Sequence, residues 1–404
     1  MAKANTETNK QEQQIHKATA KIDPKINGLG AKKALKIRHF SGLKEFTADG
    51  FKRINLFVGL NNYGKTSILE ALYLACNYQD PVSLNNLNTL RGLTLTEPNI
   101  DEIINNLFYS IDVKQPIEID ITCENGTERF SIELIDSESQ IQPKTANSAK
   151  LPLNQAQRQQ QFCQNQIITK YRNSLNNKTL EATLELISVP LSNQVMPNKV
   201  ANMNAANFTF NYERNTQMPF PVVFIHSNYL TSPSDSQKYI RLIELREDKE
   251  IIAILKFIEP RLKEIKIIGN GNQPELAADF SDDVKLLPLN TCGKGLLKVF
   301  SYLLSICSAK NGVVLIDEIE NGLHYSIHEL IWEKLDYLAQ KYNVQIFATT
   351  HSQEMIEAAY RAFKDSNFNN FSYYRIDRKL DKTECTNYDA TTFRTAIENN
   401  FEIR

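Results

Sequence analysis

The sequence lacks the features that identify membrane-spanning, exported and zinc-binding proteins. No apolar run approaches the roughly 18 residues of a membrane-spanning helix, and the N-terminus lacks the apolar core of an export signal. Six cysteines are scattered without the paired spacing of a zinc site, which is typical of a reducing compartment. The formal net charge of −1 provides no overall attraction to nucleic acid. We therefore expect a cytoplasmic globular protein.

The chain changes character along its length. Residues 1–34 contain seven Lys against three acids and few apolar groups, which predicts a disordered polar tail. Two alternating stretches flank Asn125-Gly126, a strong signal for a β-hairpin. Residues 139–220 include "LNQAQRQQQFCQNQ", with seven Gln in fourteen residues, and we interpret them as an insertion that could form a short helical protrusion. Residues 235–268 have the periodic Ile and Leu of a helix.

A glycine-bracketed loop stands out against the low glycine content of 14 in 404 residues. Residues 59–66, "GLNNYGKT", satisfy G-x-x-x-x-G-K-[ST] and lie between an apolar strand at 54–58 and a helix predicted from Ser67. Gly59 and Gly64 let backbone N–H groups point at phosphate oxygens, and the helix N-terminus faces the same anion. Lys65 adds a mobile charge for phosphate, and the Thr66 hydroxyl is a hard ligand suited to Mg²⁺. The pattern predicts a nucleotide site.

Two later strands end in groups that suit such a site. "VVLIDE" ends in Asp317 and Glu318, and acids at the carboxyl end of a parallel strand face the same crevice as a phosphate loop. Asp317 can order the Mg²⁺ shell while Glu318 aligns and deprotonates water. "VQIFATTHS" ends in Thr349, Thr350 and His351, and a histidine there can contact phosphate or water.

A small polar cluster precedes a strongly amphipathic helix further along the chain. It reads "TCGKG", residues 291–295, and its helix N-terminal amides together with Lys294 predict a second anion-binding surface. A glycine-flanked helix start without a ligand is the alternative for this segment.

The order of these motifs resembles the stand-alone ABC-type AAA ATPases of the SMC, RecF and OLD group. "NLFVGLNNYGKTSILEAL", "VVLIDEIENGLHYSIHELIW" and "IFATTHSQEMIEA" look especially like the ATPase subunits of bacterial antiphage systems, the PtuA-like subunits of Septu and the AriA-like subunits of PARIS. The resemblance implies an α/β fold: a P-loop ATPase head with a mixed sheet, a helical signature lobe and an inserted Gln/Asn-rich segment. The head would comprise residues 35–138 with Walker A and 221–404 with the signature, Walker B and switch histidine.

The resemblance also implies roles for matching residues. ATP and Mg²⁺ would be held by Gly59, Asn62, Gly64, Lys65, Thr66 and Ser67. Asp317 would be the Walker B ligand of the metal, Glu318 the catalytic base and His351 the switch histidine. The signature loop would be Thr291, Gly293, Lys294 and Gly295, contacting the γ-phosphate on the opposite subunit, although "TCGKG" lacks the usual serine. The family's Q-loop glutamine has no clear counterpart after Walker A.

The resemblance leaves three functions open. The first is an ATPase that forms a homodimer or larger homo-oligomer around ATP and controls a separate effector protein, a nuclease, in antiphage defence. The effector is expected to be separate because the sequence contains no recognisable HNH or Toprim metal cluster and no membrane segment. The alternatives are a RecF-like DNA-repair or DNA-clamping ATPase, which would bind nucleic acid, and an ATP-dependent scaffold with little turnover.

Overall fold

The computed structural model describes most of the chain in segments. They are residues 31–78, 80, 83–91, 105–124, 126–136, 164–173, 179–187, 207–211, 220–228, 231–269, 274–281, 285–379, 382–399 and 401–403. Most of the predicted polar tail, residues 1–30, lies outside this range, and so does most of the Gln-rich run.

The elements are numbered in chain order. The strands are β1 (Lys32–Phe40), β2 (Leu43–Asp49), β3 (Ile54–Val58), β4 (Ile117–Cys123), β5 (Gly126–Asp136), β6 (Gln164–Asn173), β7 (Thr179–Ile187), β8 (Asn207–Asn211), β9 (Val222–Ile225), β10 (Leu262–Ile268), β11 (Glu275–Phe280), β12 (Leu287–Pro288), β13 (Val313–Ile316), β14 (Gln345–Thr350), β15 (Phe371–Lys379) and β16 (Lys382–Tyr388). The α-helices are α1 (Lys65–Cys76), α2 (Ser83–Leu90), α3 (Pro233–Glu244), α4 (Asp248–Ile258), α5 (Lys294–Ser308), α6 (His328–Lys341), α7 (Gln353–Phe363) and α8 (Ala390–Glu398).

The chain divides into two compact units, and the division falls inside β1, β2 and α1. One unit comprises residues 1–35, 47–69 and 219–404, and the other comprises residues 36–46 and 70–218. Both combine strands and helices, so the predicted α/β class with a mixed sheet is confirmed.

The first unit is built on a six-stranded sheet in the order β16-β15-β3-β14-β13-β9. The pairs from β15 to β9 are parallel, while β16 is antiparallel to β15 at the edge. Every residue of β3, β13 and β14 is buried. These strands therefore read as continuous apolar runs instead of alternating ones, as expected for parallel strands that are covered on both faces.

The strand register sets the position of the site. Ile316 of β13 is level with Ala348 of β14, and Thr350 of β14 is level with Val58 of β3. The residues that follow these strands, Gly59 and Asp317 among them, consequently emerge at the same carboxyl edge of the sheet.

Helices pack around this sheet and form an apolar core with it. Helix α5 packs against α3, α4 and α6, and α6 packs against α7. The only tryptophan, Trp332, is fully buried, and its Nε1 donates to the carbonyl of Met355 at 3.1 Å, which ties α6 to α7. The antiparallel sheet β10-β11-β12 belongs to the same unit.

The long helix predicted over 235–268 is wrong. The segment forms α3, α4 and strand β10. Helix α3 ends where Arg246 takes a left-handed φ of 60°, and α4 ends just before Glu259-Pro260. A proline disfavours helical backbone in the residue before it, and the alternating "LKEIKII" that follows has the period of a strand.

Most of a seven-stranded sheet belongs to the second unit, in the order β2-β1-β4-β5-β6-β7-β8 and antiparallel from β4 onward. The hairpin predicted at Asn125-Gly126 is confirmed, with Cys123 paired to Gly126. Within 139–220, the described residues of this unit form strands β6 to β8, while the short helix predicted for the Gln-rich run falls mostly on residues outside the described range. Across the part of the chain that the structure describes, no helix is both long and apolar enough to cross a bilayer.

Candidate functional site

The phosphate loop connects β3 to α1 at the carboxyl edge of the six-stranded sheet. Gly64 has a φ of 88° and Asn62 a φ of 66°, so the loop uses left-handed backbone at two positions. A Cβ on Gly59 would lie 2.5 Å from the carbonyl oxygen of Ile376 in β15. Gly59 is therefore needed for close packing of the loop against the neighbouring strand, a reason the motif alone does not reveal.

Lys65 is buried at the start of α1. Its Nζ donates to the carbonyl oxygens of Gly59 at 2.7 Å and Leu60 at 2.8 Å, so the side chain curls back over the loop. Burial lowers the pKa of Lys65, while the negative charges of Glu320, Asp317 and Glu318 act in the opposite direction. The amino group thus lies near three negative charges, and a bound phosphate would be a further anion that attracts it.

Thr66 links the phosphate loop to the acids after β13. Its hydroxyl donates to both carboxylate oxygens of Asp317, at 3.1 Å each. Asp317 is itself buried, and its backbone N–H donates to the carbonyl of Ile225 in β9. The sequence predicted this pair as metal ligands, and the structure brings the two side chains together. Ser67 follows Thr66 in sequence, in the first turn of α1, and is half-buried.

Thr349 organises the two adjacent acids. Its hydroxyl donates to Asp317 Oδ1 at 2.7 Å and accepts from the backbone N–H of Glu318 at 2.9 Å. Glu318 has a left-handed φ of 49°, which is uncommon for a residue with a side chain. Such strained backbone occurs where the surrounding structure fixes it, frequently at functional sites. Here the fixing group is the Thr349 hydroxyl.

His351 follows β14 and is half-exposed. Its backbone N–H donates to Glu320 Oε1 at 3.0 Å, and its Nδ1 lies 3.0 Å from the same oxygen. The predicted switch histidine therefore lies at the same edge of the sheet as the phosphate loop. Its ring contacts Glu320 and not the predicted base Glu318.

The predicted signature loop lies at the start of α5 and is mostly exposed. Thr291 and Gly293 are open to solvent, and the Thr291 hydroxyl donates to the carbonyl of Pro288 at 2.7 Å. A Cβ on Gly295 would lie 3.3 Å from the carbonyl of Gly322, and Lys294 packs beside the same glycine. The loop is thus next to the turn that follows Glu318, although its own hydrogen bonds are local.

Lys298 is a charged residue of the site that the sequence did not predict. It is buried in α5, and its Nζ donates to the carbonyl of His226 at 2.9 Å. Burial lowers its pKa to about 8, against the opposing effect of Asp317 and Glu318. In the sequence, Lys298 is one of two lysines in an amphipathic helix, so no local pattern distinguishes it. Glu320 was similarly not predicted, and Thr349 was predicted only as a polar group at a strand end, because their contacts lie across strands.

The donor set fits a magnesium nucleotide. Within the described residues, no group of three or more His, Cys, Asp or Glu could hold a metal ion without further ligands. One hydroxyl and one carboxylate, Thr66 and Asp317, are hard oxygen donors, and Mg²⁺ commonly takes only one or two protein ligands together with phosphate oxygens and waters. Lys65 and the first-turn amides of α1 supply the groups that suit phosphate.

Comparisons with known proteins agree with this geometry. A family model described as "AAA domain, putative AbiEii toxin, Type IV TA system" matches residues 54–357. A protein of Helicobacter pylori (strain ATCC 700392 / 26695) described as "ATP/GTP phosphatase" is 28% identical over 347 residues, covering 83% of this chain and 89% of that protein.

Solved structures of SMC heads show a partial likeness in fold. An SMC head bound to the C-winged helix domain of ScpA has a TM-score of 0.46 and 11% identity, covering 91% of this chain and 99% of that chain. An SMC head domain from Thermotoga maritima has a TM-score of 0.38 and 9% identity, covering 89% and 99%. The family match begins at β3, directly before the phosphate loop, and extends beyond His351, so it contains every motif from the phosphate loop to the histidine. The chain therefore belongs to this AAA family, and it is an ATP-hydrolysing enzyme.

Proposed function

We propose that the chain binds ATP between the phosphate loop and the acids of β13, hydrolyses it, and uses the change of nucleotide state to control a separate protein. The observation that carries the hydrolytic part is the network from Thr66 through Asp317 and Thr349 to Glu318. One set of hydrogen bonds connects the phosphate-binding loop to the proposed base. These hydrogen bonds consequently couple the position of the base to the position of the phosphate-binding loop.

Each residue has a distinct task in this proposal. Lys65 and the loop amides bind phosphate oxygens, and Thr66 with Asp317 would hold Mg²⁺. When bound, the metal ion would neutralise phosphate charge. Glu318 orients the attacking water and accepts its proton, while Thr349 holds the backbone of Glu318 in place. His351, which follows β14, would contact phosphate or the attacking water from the same edge of the site.

Two variants test these tasks separately. Glu318→Gln preserves shape but removes the base, so ATP should still bind while turnover falls about 10²-fold or more. Lys65→Ala removes a charge-assisted phosphate contact of about 1.5–3 kcal/mol, so ATP affinity should fall about tenfold or more. Calorimetry measures binding, and phosphate release measures turnover. Full turnover in Glu318→Gln would place the base elsewhere.

We further propose that two copies close around ATP and that the closed dimer acts on a partner. Support comes from the exposed loop at Thr291–Lys294, whose cationic side chain and helix N-terminus suit an anion presented by a second copy. A partner responds to nucleotide only if it binds the open and closed forms with different affinities.

The sequence motifs of antiphage ATPase subunits support a role in bacterial defence, with a nuclease as the effector. The matched family's own description, which refers to toxin–antitoxin systems, is in keeping with a role of this kind. ATPase assays with and without DNA distinguish this role from the RecF-like alternative, because a DNA-clamping enzyme should respond to DNA alone. An enzyme with negligible turnover in every condition would instead be a scaffold.

A further inference from the structure

Glu320 contacts His351 at two points with a single oxygen atom. Its Oε1 lies 3.0 Å from the backbone nitrogen of His351 and 3.0 Å from the ring Nδ1. The backbone contact fixes where the residue lies, and the ring contact limits rotation of the imidazole. A carboxylate that holds both parts of a histidine orients the ring's other nitrogen as well.

The second carboxylate oxygen of Glu320 is buried and has no hydrogen-bond partner among the described residues. The side chain as a whole is only 10% exposed. A buried polar atom without a partner costs about 1–3 kcal/mol, so this carboxylate is retained at a cost to stability.

The junction of β13 and β14 has contacts besides those of Glu320. The parallel ladder pairs Ile316 with Ala348, and Thr349 bonds to both acids that follow β13. What Glu320 adds is the orientation of His351. An ionised carboxylate only accepts hydrogen bonds, so a hydrogen bond across this 3.0 Å contact requires a proton on Nδ1. In a neutral imidazole the other nitrogen, Nε2, is then an acceptor.

We propose that Glu320 is a positioning residue for ATP hydrolysis that holds His351 as the Nδ1–H tautomer, so that Nε2 accepts a hydrogen bond in the nucleotide site. The proposal rests on the role of His351 proposed above. It assigns to Glu320 a function distinct from that of Glu318, which acts on water directly.

The tautomer is directly measurable in the protein without nucleotide. Long-range ¹H–¹⁵N NMR distinguishes the two ring nitrogens, and the His351 resonances are assigned by their loss in His351→Gln. We expect Nδ1–H in the unaltered protein. In Glu320→Leu, no acceptor remains beside Nδ1, so the ring should lose its bias and shift toward Nε2–H. An Nε2–H ring in the unaltered protein would overturn the proposal without any substitution.

Glu329→Leu is the matched control. The Glu329 side chain is half-exposed in the first turn of α6 and pairs with Arg361 at 2.8 Å, so the same chemical change there should leave the His351 resonances and turnover unchanged.

Kinetics test whether Glu320 acts through His351. Glu320→Leu should lower kcat about tenfold or more while ATP affinity stays nearly constant. His351→Ala should show a similar loss, and the double variant should lose no more than either single variant, because residues that act as a unit are non-additive. Losses that multiply would show that Glu320 acts independently. Normal turnover in His351→Ala would refute the proposed role of His351, whereas an unshifted ring in Glu320→Leu would refute only the present inference.

Discussion

At the scale of single residues, Thr349 shows how one hydroxyl can fix two neighbouring acids of the proposed site. It is fully buried, donates to Asp317 and accepts from the backbone of Glu318. The strained φ of Glu318 is therefore stabilised by a bond that comes from the neighbouring strand.

We expect Thr349→Val to disrupt this arrangement with almost no change in volume. Valine leaves the N–H of Glu318 without its partner and removes one of the two donors to Asp317 Oδ1, so the free energy of unfolding should fall by about 1–3 kcal/mol. The kcat for ATP should fall too, because Glu318 is no longer held. Denaturant unfolding and steady-state kinetics measure the two effects. Thr349→Ser keeps the hydroxyl and should retain both properties; a valine variant as stable and active as the unaltered protein would contradict this role.

At the scale of elements, the start of α3 combines a cap with a buried charge. The carboxylate of Asp235 accepts from the backbone N–H of Ser232 at 2.9 Å and from its hydroxyl at 2.7 Å. Lys238 Nζ lies 3.0 Å from the other oxygen. Burial by itself would raise the pKa of Asp235, but the bonds from Ser232 and the charge of Lys238 outweigh it, and the pKa is lowered from 3.8.

This shift predicts a pH-dependent contribution to stability. Because the carboxylate binds protons less readily in the folded state, its stabilisation is complete above the unfolded-state pKa of 3.8 and is lost as pH falls through the lower folded-state value. Asp235→Asn should therefore cost about 1 kcal/mol near neutral pH, and the difference from the unaltered protein should shrink toward about pH 3. Urea unfolding across this range measures both. A difference independent of pH would assign the effect to shape and not to charge.

At the scale of the whole molecule, the proposed dimer depends on the exposed loop before α5. Gly293 has a φ of −55°, and a Cβ added there meets nothing within 4 Å, so a large side chain fits the single chain. Gly295 is less suitable because its Cβ would lie 3.3 Å from the carbonyl of Gly322.

We predict that Gly293→Trp leaves ATP binding by the single chain intact but prevents association with a second copy. The indole would occupy the space that an opposing nucleotide needs if this loop is the interface. Light scattering with ATP, in the slowly hydrolysing Glu318→Gln background, measures association, and calorimetry measures binding. Gly42→Trp is the control, since nothing lies within 4 Å of that glycine either. ATP-dependent dimers that form normally in Gly293→Trp would place the interface elsewhere.

Much of the first unit and of the candidate site could be predicted from short stretches of the sequence. The P-loop spacing, the apolar runs of β3, β13 and β14, and the acids and histidine at their ends could be predicted because each depends on neighbours in sequence. The break between α3 and α4 was missed, since the left-handed Arg246 has no strong local signal, and the alternation of β10 was read as part of a helix.

Only the tertiary structure decided how those residues meet. Parallel register brings Thr349 to Asp317, 32 residues away in sequence. Lys298 in α5 bonds to His226, which follows β9 and lies 72 residues away. Glu320 contacts His351, 31 residues away. Local periodicity carries no information about such pairs, because strand order and register are set by burial of the whole sheet. The sequence by itself thus determined which chemical groups are available for ATP, and the fold decided which of them act together.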